Sequence, residues 1–206
     1  MRKPQITIEY IKMLKRPIFT TREISDMSGR SMSAVTQSLG YLAWHNVVKK
    51  LYRGLWMEVT DRLISQYMLI PHLFKSGRVY VSFLSALHLH GIIGQIPQTV
   101  TIASTSHSRV IKTAAGTFVV HQISPGFFSG FDWYKGSGNF LVAEKEKALA
   151  DCLYLFTRKK KQYGYFPELD LHSPFSAKKA REWVQKIPDI KARTSALEKL
   201  DEILKK

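Results

Sequence analysis

Cysteine is almost missing from this chain of 206 residues, which carries Cys152 alone. A lone thiol excludes an internal disulfide framework and any zinc site built from cysteines, and it fits a reducing compartment. Acidic residues are scarce as well: 16 Asp and Glu stand against 31 Lys and Arg, a formal charge of +15. So large an excess on a short chain points to a polyanionic partner, either nucleic acid or an anionic membrane face. Long hydrophobic runs are absent too. The longest stretch free of Lys, Arg, Asp and Glu, Val79 to Ser108, is interrupted by His88, His90, Gly91, Gly94, Gln95, Pro97 and Gln98. It therefore falls short of the roughly 20 apolar residues of a membrane span. Met1-Arg2-Lys3-Pro4-Gln5 leads into a mixed polar segment, so no secretory signal is expected and the expected setting is a soluble, cytoplasmic one. Glycine-rich phosphate loops, G-x-S-x-G and H-E-x-x-H do not occur, and neither an enzyme nor a cofactor is expected.

What is present is enough to fold. With 45% hydrophobic and 12% aromatic residues, a packed core is available and wholesale disorder is disfavoured. The charge is uneven: 13 basic against 5 acidic residues in 1–78, 5 against 4 in 79–156, and 13 against 7 in 157–206. A nearly neutral, aromatic middle reads as the core of a second domain, which puts a boundary near Ser76-Gly77 and domains at 1–76 and 77–206. The expected fold class is α+β, with an N-terminal winged helix-turn-helix followed by a mixed α+β C-terminal domain that ends in helices.

The first 60 residues carry most of that expectation. Ile6, Ile8, Ile11, Met13 and Leu14 predict a helix from about residue 5 to Lys15, stopped by Arg16-Pro17. Thr20-x-x-Glu23 is a capping box, in which each side chain satisfies an orphan backbone donor of a short second helix ending at Ser28-Gly29. Ser31 opens a third helix with Val35, Leu39 and Leu42 inward and Ser33, Thr36, Gln37 and Tyr41 outward. Two helices joined by a tight turn match a helix-turn-helix, whose second helix enters the major groove, and small polar side chains allow it to approach base edges. Val47–Leu51 and Leu55–Val59 then flank Tyr52-Arg53-Gly54 as a hairpin, the wing. The candidate DNA contacts are Arg30, Ser31, Ser33, Thr36, Gln37 and Tyr41 around the third helix, with Lys49, Lys50 and Arg53 on the wing reaching phosphates or the neighbouring minor groove. Each polar side chain on the third helix reads either as a base contact or as solvated surface. Trp44 and Trp56 read as packing residues.

Further on, Val79–Val81 is expected as a strand, Ser82 to His90 as a helix stopped by Gly91, and Thr99–Ala103 as a strand. Arg109–Thr113 and Thr117–Ile123 form a second expected hairpin, and a long helix is expected from about Val142 to Arg158. His88-x-His90 reads as structural or surface histidines, because positions two apart on a helix diverge and no metal ligand lies nearby. Lys147 and Asp151, within the charged cluster Glu144, Lys145, Glu146, are expected as an i,i+4 pair on a solvated face. Cys152 falls on the apolar stripe as an inert thiol. A capped helix from Ser176, another from about Ile190 to Leu204 and the run Arg158-Lys159-Lys160-Lys161 make a second basic surface, for DNA or for solvation.

A family resemblance runs through these segments. Lys50-Leu51-Tyr52-Arg53-Gly54-Leu55-Trp56 on the wing, Tyr80–Ile92, Ile96–Ala103 and Glu144-Lys145-Glu146-Lys147-Ala148-Leu149-Ala150-Asp151-Cys152-Leu153 resemble, in that order, the AbiEi family of antitoxins of bacterial type IV toxin-antitoxin systems. The likeness covers roughly residues 5 to 155. It implies a transcriptional regulator whose winged helix binds inverted repeats in its own promoter as a repressor. It also implies a C-terminal domain that counters a nucleotidyltransferase-like toxin without needing to touch it, and no catalytic activity. The alternative, of a different class, is an RNA-binding or protein-interaction module on a winged-helix scaffold.

Overall fold

The structure is a computed structural model that describes residues 6–60, 65–74, 78–136, 138–158, 167–171 and 175–205. Lys159, Lys160 and Lys161 of the basic run, and the expected boundary at Ser76-Gly77, lie outside the described residues. Among the described residues the chain is mixed α+β, with eight α-helices and two sheets. It divides into two compact units, Met1–His72 with Lys112–Gly116, and Leu73–Ile111 with Thr117–Lys206.

In the first unit, α1 (Thr7–Met13) leads to β1 (Ile18–Thr20), α2 (Thr21–Ser28), α3 (Met32–Trp44), β2 (Val48–Tyr52) and β3 (Leu55–Glu58). α1 is shorter than its apolar spacing predicts, because Lys15 takes φ 51° and turns the backbone out of the helix before Pro17. The capping box is formed in full: Thr20 Oγ1 accepts the Glu23 N–H, and Glu23 accepts the Thr20 N–H at 2.7 Å. Gly29, at φ 66°, supplies the left-handed step that ends α2, and the Ser31 hydroxyl then accepts the Ala34 N–H to open α3. β1 pairs with β3, Ile18 opposite Met57 and Thr20 opposite Leu55, so the sheet order is β1-β3-β2. Ile11, Phe19, Ile24, Val35, Leu39, Val48 and Trp56 form the core between helices and sheet.

A 3-10 turn over Gln66–Leu69 and the one-turn α4 (Ile70–Leu73) follow. The second unit is built on a six-stranded sheet of order β6-β7-β5-β4-β9-β8. Its strands are β4 (Val79–Val81), β5 (Val100–Ser104), β6 (Arg109–Thr113), β7 (Gly116–Gln122), β8 (Phe131–Trp133) and β9 (Leu141–Ala143). β4 runs antiparallel to β5 and parallel to β9, and both β4 and β5 are buried along their whole length, as interior strands covered on both faces must be. α5 (Phe83–Leu89) and α6 (Lys145–Arg158) pack together, and α6 packs also on α7 (Ala177–Gln185) and α8 (Ile190–Leu204).

Two expectations are corrected here. The long helix begins at Lys145 rather than Val142, because Val142 pairs with Val81 in β9. Lys147 and Asp151 do not lie on a solvated face. Both are fully buried, because α6 is covered all round, with every residue from Glu146 to Leu155 inside.

β4 enters α5 through Phe83, whose φ of 56° is a left-handed value that a bulky side chain rarely takes. Hydrogen bonds surround the turn: the Ser82 N–H donates to the Thr101 carbonyl at 3.1 Å, Thr101 Oγ1 donates to the Ser82 carbonyl at 2.7 Å, and Ser82 Oγ donates to Asp151 Oδ2 at 2.6 Å.

Candidate functional site

α3 contains no charged residue between Met32 and Trp44. Val35 and Leu39 point into the core, so Ser33, Thr36, Gln37, Gly40, Tyr41 and Trp44, three and four apart, share the exposed face. The hydroxyl of Thr36 is turned back on its own helix, donating to the Met32 carbonyl at 2.7 Å, which leaves its methyl group outward. The Ser31 hydroxyl is spent on the cap. Arg30 sits at the start of α3 with its guanidinium held at both ends, Nη1 donating to Thr7 Oγ1 and Nη2 to Ser38 Oγ, each at 3.1 Å. It thereby fastens α3 to α1. Gln37 and Tyr41 line, with Ile6, Ile8, Leu42 and Arg30, an open groove of about 730 Å³ between these helices.

Trp44 does not pack in the core. It is 79% exposed, and with Tyr41 it flanks His45, the rings edge-on at 4.8 and 4.4 Å. Helical spacing sets it on the outer face with Tyr41, three positions before it. Trp56 is buried as expected, its indole N–H donating to Thr21 Oγ1 at 2.9 Å.

The hairpin β2–β3 carries the cations. Its ladder slips between Lys50 and Tyr52, so Val48 and Leu51 both reach the core while Lys49 and Lys50 are both exposed. The Lys50 ammonium lies 5.6 Å from the centre of the Trp56 ring. Arg53 is exposed at the turn, which is held from behind: the Gly54 carbonyl accepts the Thr21 N–H at 2.9 Å and the Leu51 carbonyl accepts the Ala114 N–H at 3.0 Å. The structure therefore gathers Arg30, Gln37 and Tyr41 at the α1–α3 groove, Ser33 and Thr36 on the outer face of α3, and Lys49, Lys50 and Arg53 on a short, braced hairpin.

A second polar cluster, which i,i+4 spacing alone does not reveal, lies inside the other unit. Lys147 pairs with Asp151 Oδ1 and donates to the Tyr80 hydroxyl at 3.1 Å, while the Tyr80 and Ser82 hydroxyls both donate to Asp151 Oδ2. The ammonium lies 3.6 Å from the Phe127 ring centre. Burial pulls the Lys147 ammonium below its ordinary value against the pull of Asp151, and burial together with that carboxylate pushes the Tyr80 hydroxyl far up. Burial likewise raises the Cys152 thiol, which leaves it unreactive. All four polar side chains are enclosed, so the cluster ties β4, the strained turn and α6 together rather than meeting a substrate. The sequence signal was there: Ala148, Leu149, Ala150, Cys152 and Leu153 leave no polar side for Lys147 and Asp151 to share.

His88 and His90 each meet a backbone carbonyl, of Ile93 at 3.4 Å and of Ala143 at 2.6 Å. On the last two helices, part of the positive charge is matched by ion pairs of Lys179 with Glu144, Arg181 with Asp201 and Lys199 with Glu202. Among the described residues no helix is long and apolar enough to cross a membrane. Comparison with known protein families and with curated proteins finds no match for this chain.

Proposed function

We propose that this chain is a sequence-specific double-stranded DNA-binding regulator, and, on its resemblance to the AbiEi antitoxins, the autorepressing antitoxin of a bacterial type IV toxin-antitoxin system. In this proposal α2 and α3 form the helix-turn-helix, β2–β3 is the wing, and the repressor acts in the cytoplasm at inverted repeats of its own promoter. Its functional partner is a nucleotidyltransferase-like toxin, which it need not contact, and it catalyses nothing itself. The observation that carries the reading is a capped, uncharged α3 whose exposed face runs from the small and amide side chains Ser33, Thr36, Gln37 and Gly40 to Tyr41 and Trp44, followed in chain order by a hairpin with Lys49, Lys50 and Arg53 exposed. Such a helix meets no carboxylate repulsion from phosphates, and the hairpin cations supply the attraction the helix lacks. One such unit covers a half-site, so repeats would be filled in pairs.

Titration of the purified chain across salt, on its own upstream DNA and on a scrambled duplex of equal length, tests this. A preference for the native duplex that persists while both affinities fall with salt is the expected result. Equal affinities that vanish together would sink it. The exposed Tyr41–His45–Trp44 cluster beside the apolar groove favours one second reading, a protein-interaction surface on the same helix. On that reading Trp44→Ala would leave the DNA titration untouched and abolish a protein contact.

A further inference from the structure

We infer that the half-site read by α3 is rich in A·T pairs, with Thr36 and Gln37 as the residues that choose them. The inference rests on α3 being the reading helix. Guanine is recognised above all by Arg or Lys forked onto its O6 and N7, adenine by Asn or Gln, and thymine by apolar contact with its methyl group. α3 offers no Arg or Lys from Met32 to Trp44. Arg30, the cation before its start, is drawn toward the protein, each of its terminal nitrogens spending one N–H on Thr7 or Ser38. What the exposed face does offer matches an A·T pair: the Gln37 amide, exposed, and the Thr36 methyl, turned outward because its hydroxyl is occupied by the Met32 carbonyl. Gly40, one turn further on, has nothing within 4 Å of where a Cβ would stand, so its bareness serves no packing inside the protein. It leaves the helix flat where it would lie against a thymine methyl. The hairpin adds a preference of the same sign, since Arg53 is attracted to the narrow, strongly negative minor groove of A-tracts.

The test is selection from a randomised duplex pool with the full-length chain, followed by replacement of each thymine in the selected duplex by uracil, which removes only the methyl group. The expected result is half-sites dominated by A·T pairs. At one position the uracil duplex should bind about fourfold more weakly to the native chain, the worth of roughly one buried methyl, and Thr36→Ser should bind both duplexes alike. Gln37→Ala should lose about five- to 150-fold on the selected duplex and little on a random one, the range of discrimination of a bidentate contact. Half-sites with G·C pairs where Gln37→Ala acts, or uracil duplexes bound as tightly as thymine ones throughout, would overturn the inference while leaving a sequence-specific regulator standing. A pool that emerges unenriched would overturn the regulator itself, and this inference with it.

Discussion

Removing one partner of the Lys147–Asp151 pair leaves the other charged and dry without its counter-ion, which is costlier than never having had the pair. Lys147→Met is therefore expected to lower the stability of the second unit by about 3–5 kcal/mol in chemical denaturation. The double change Lys147→Met with Asp151→Leu should recover part of that loss, since no charge is then stranded; a double variant no better than the single one would contradict this account. Gly130 is the second sensitive position. It holds φ 76°, and a Cβ there would lie 2.5 Å from Trp183 Cζ2 and 3.1 Å from Lys147 Cγ. Gly130→Ala should cost about 1–3 kcal/mol from backbone strain alone, again by denaturant melting, whereas the same change at Gly94, where a Cβ meets nothing, should not. Neither position could be recognised from periodicity. A charged i,i+4 pair looks the same on a solvated face and inside a helix wrapped on all sides, and only the apolar neighbours told them apart.

At the level of single elements, local chemistry was the most legible. The Thr20–Glu23 box, the Gly29 turn, the Ser31 cap and the β2–β3 hairpin stand where the side chains place them, because caps and turns are set by residues a few positions apart. The strands β1, β8 and β9 were not legible. Each exists because a partner strand from elsewhere in the chain lies beside it, which local spacing cannot show. The capping box also gives a pH dependence. Burial pushes the Glu23 carboxyl up, but hydrogen bonds from Thr20 and the Arg16 guanidinium outweigh it and hold it below its ordinary value of 4.5. A folded-state value lower than the unfolded one contributes stability above about pH 4.5 that is lost as pH falls through it and below. Glu23→Gln should flatten that acid limb in thermal melts, and an unchanged limb would remove Glu23 from the account. Gly40→Ala should raise the stability of the first unit by about 0.5–1 kcal/mol, the helix-propensity gain, while weakening binding of the selected duplex. A gain in stability with DNA binding unaltered would mean that α3 does not lie against the groove at Gly40.

For the molecule as a whole, charge decides more than fold does. The excess over 1–78 was plain from composition, and the proposed DNA role draws above all on the exposed Lys49, Lys50 and Arg53 of the hairpin. If Arg53 contacts one phosphate, Arg53→Ala should reduce the slope of log affinity against log salt by about 0.9, equally on native and scrambled duplexes. A slope that stays put would take Arg53 off the backbone. The tail helices are a weaker prospect for DNA, because Lys179, Arg181 and Lys199 already face carboxylates. The division into units does not follow a single cut: Lys112–Gly116 belongs to the first unit although it lies some 40 residues beyond His72 in sequence, which no one boundary in a linear chain expresses.

The strained turn at Phe83 bears on the order of events during synthesis. Ser82 and its partner Asp151 are 69 residues apart, and at about 5–20 residues per second a ribosome needs roughly 3–14 s to deliver the second after the first. Thr101 arrives sooner and steadies the turn from one side, but Lys147, Asp151 and the helix that bears them come last of the cluster. Until α6 has emerged, β4 and α5 are a joint without its pin. A chain arrested before residue 145 should accordingly offer proteases a clean entry at Ser82–Phe83, and one released after Arg158 should close it.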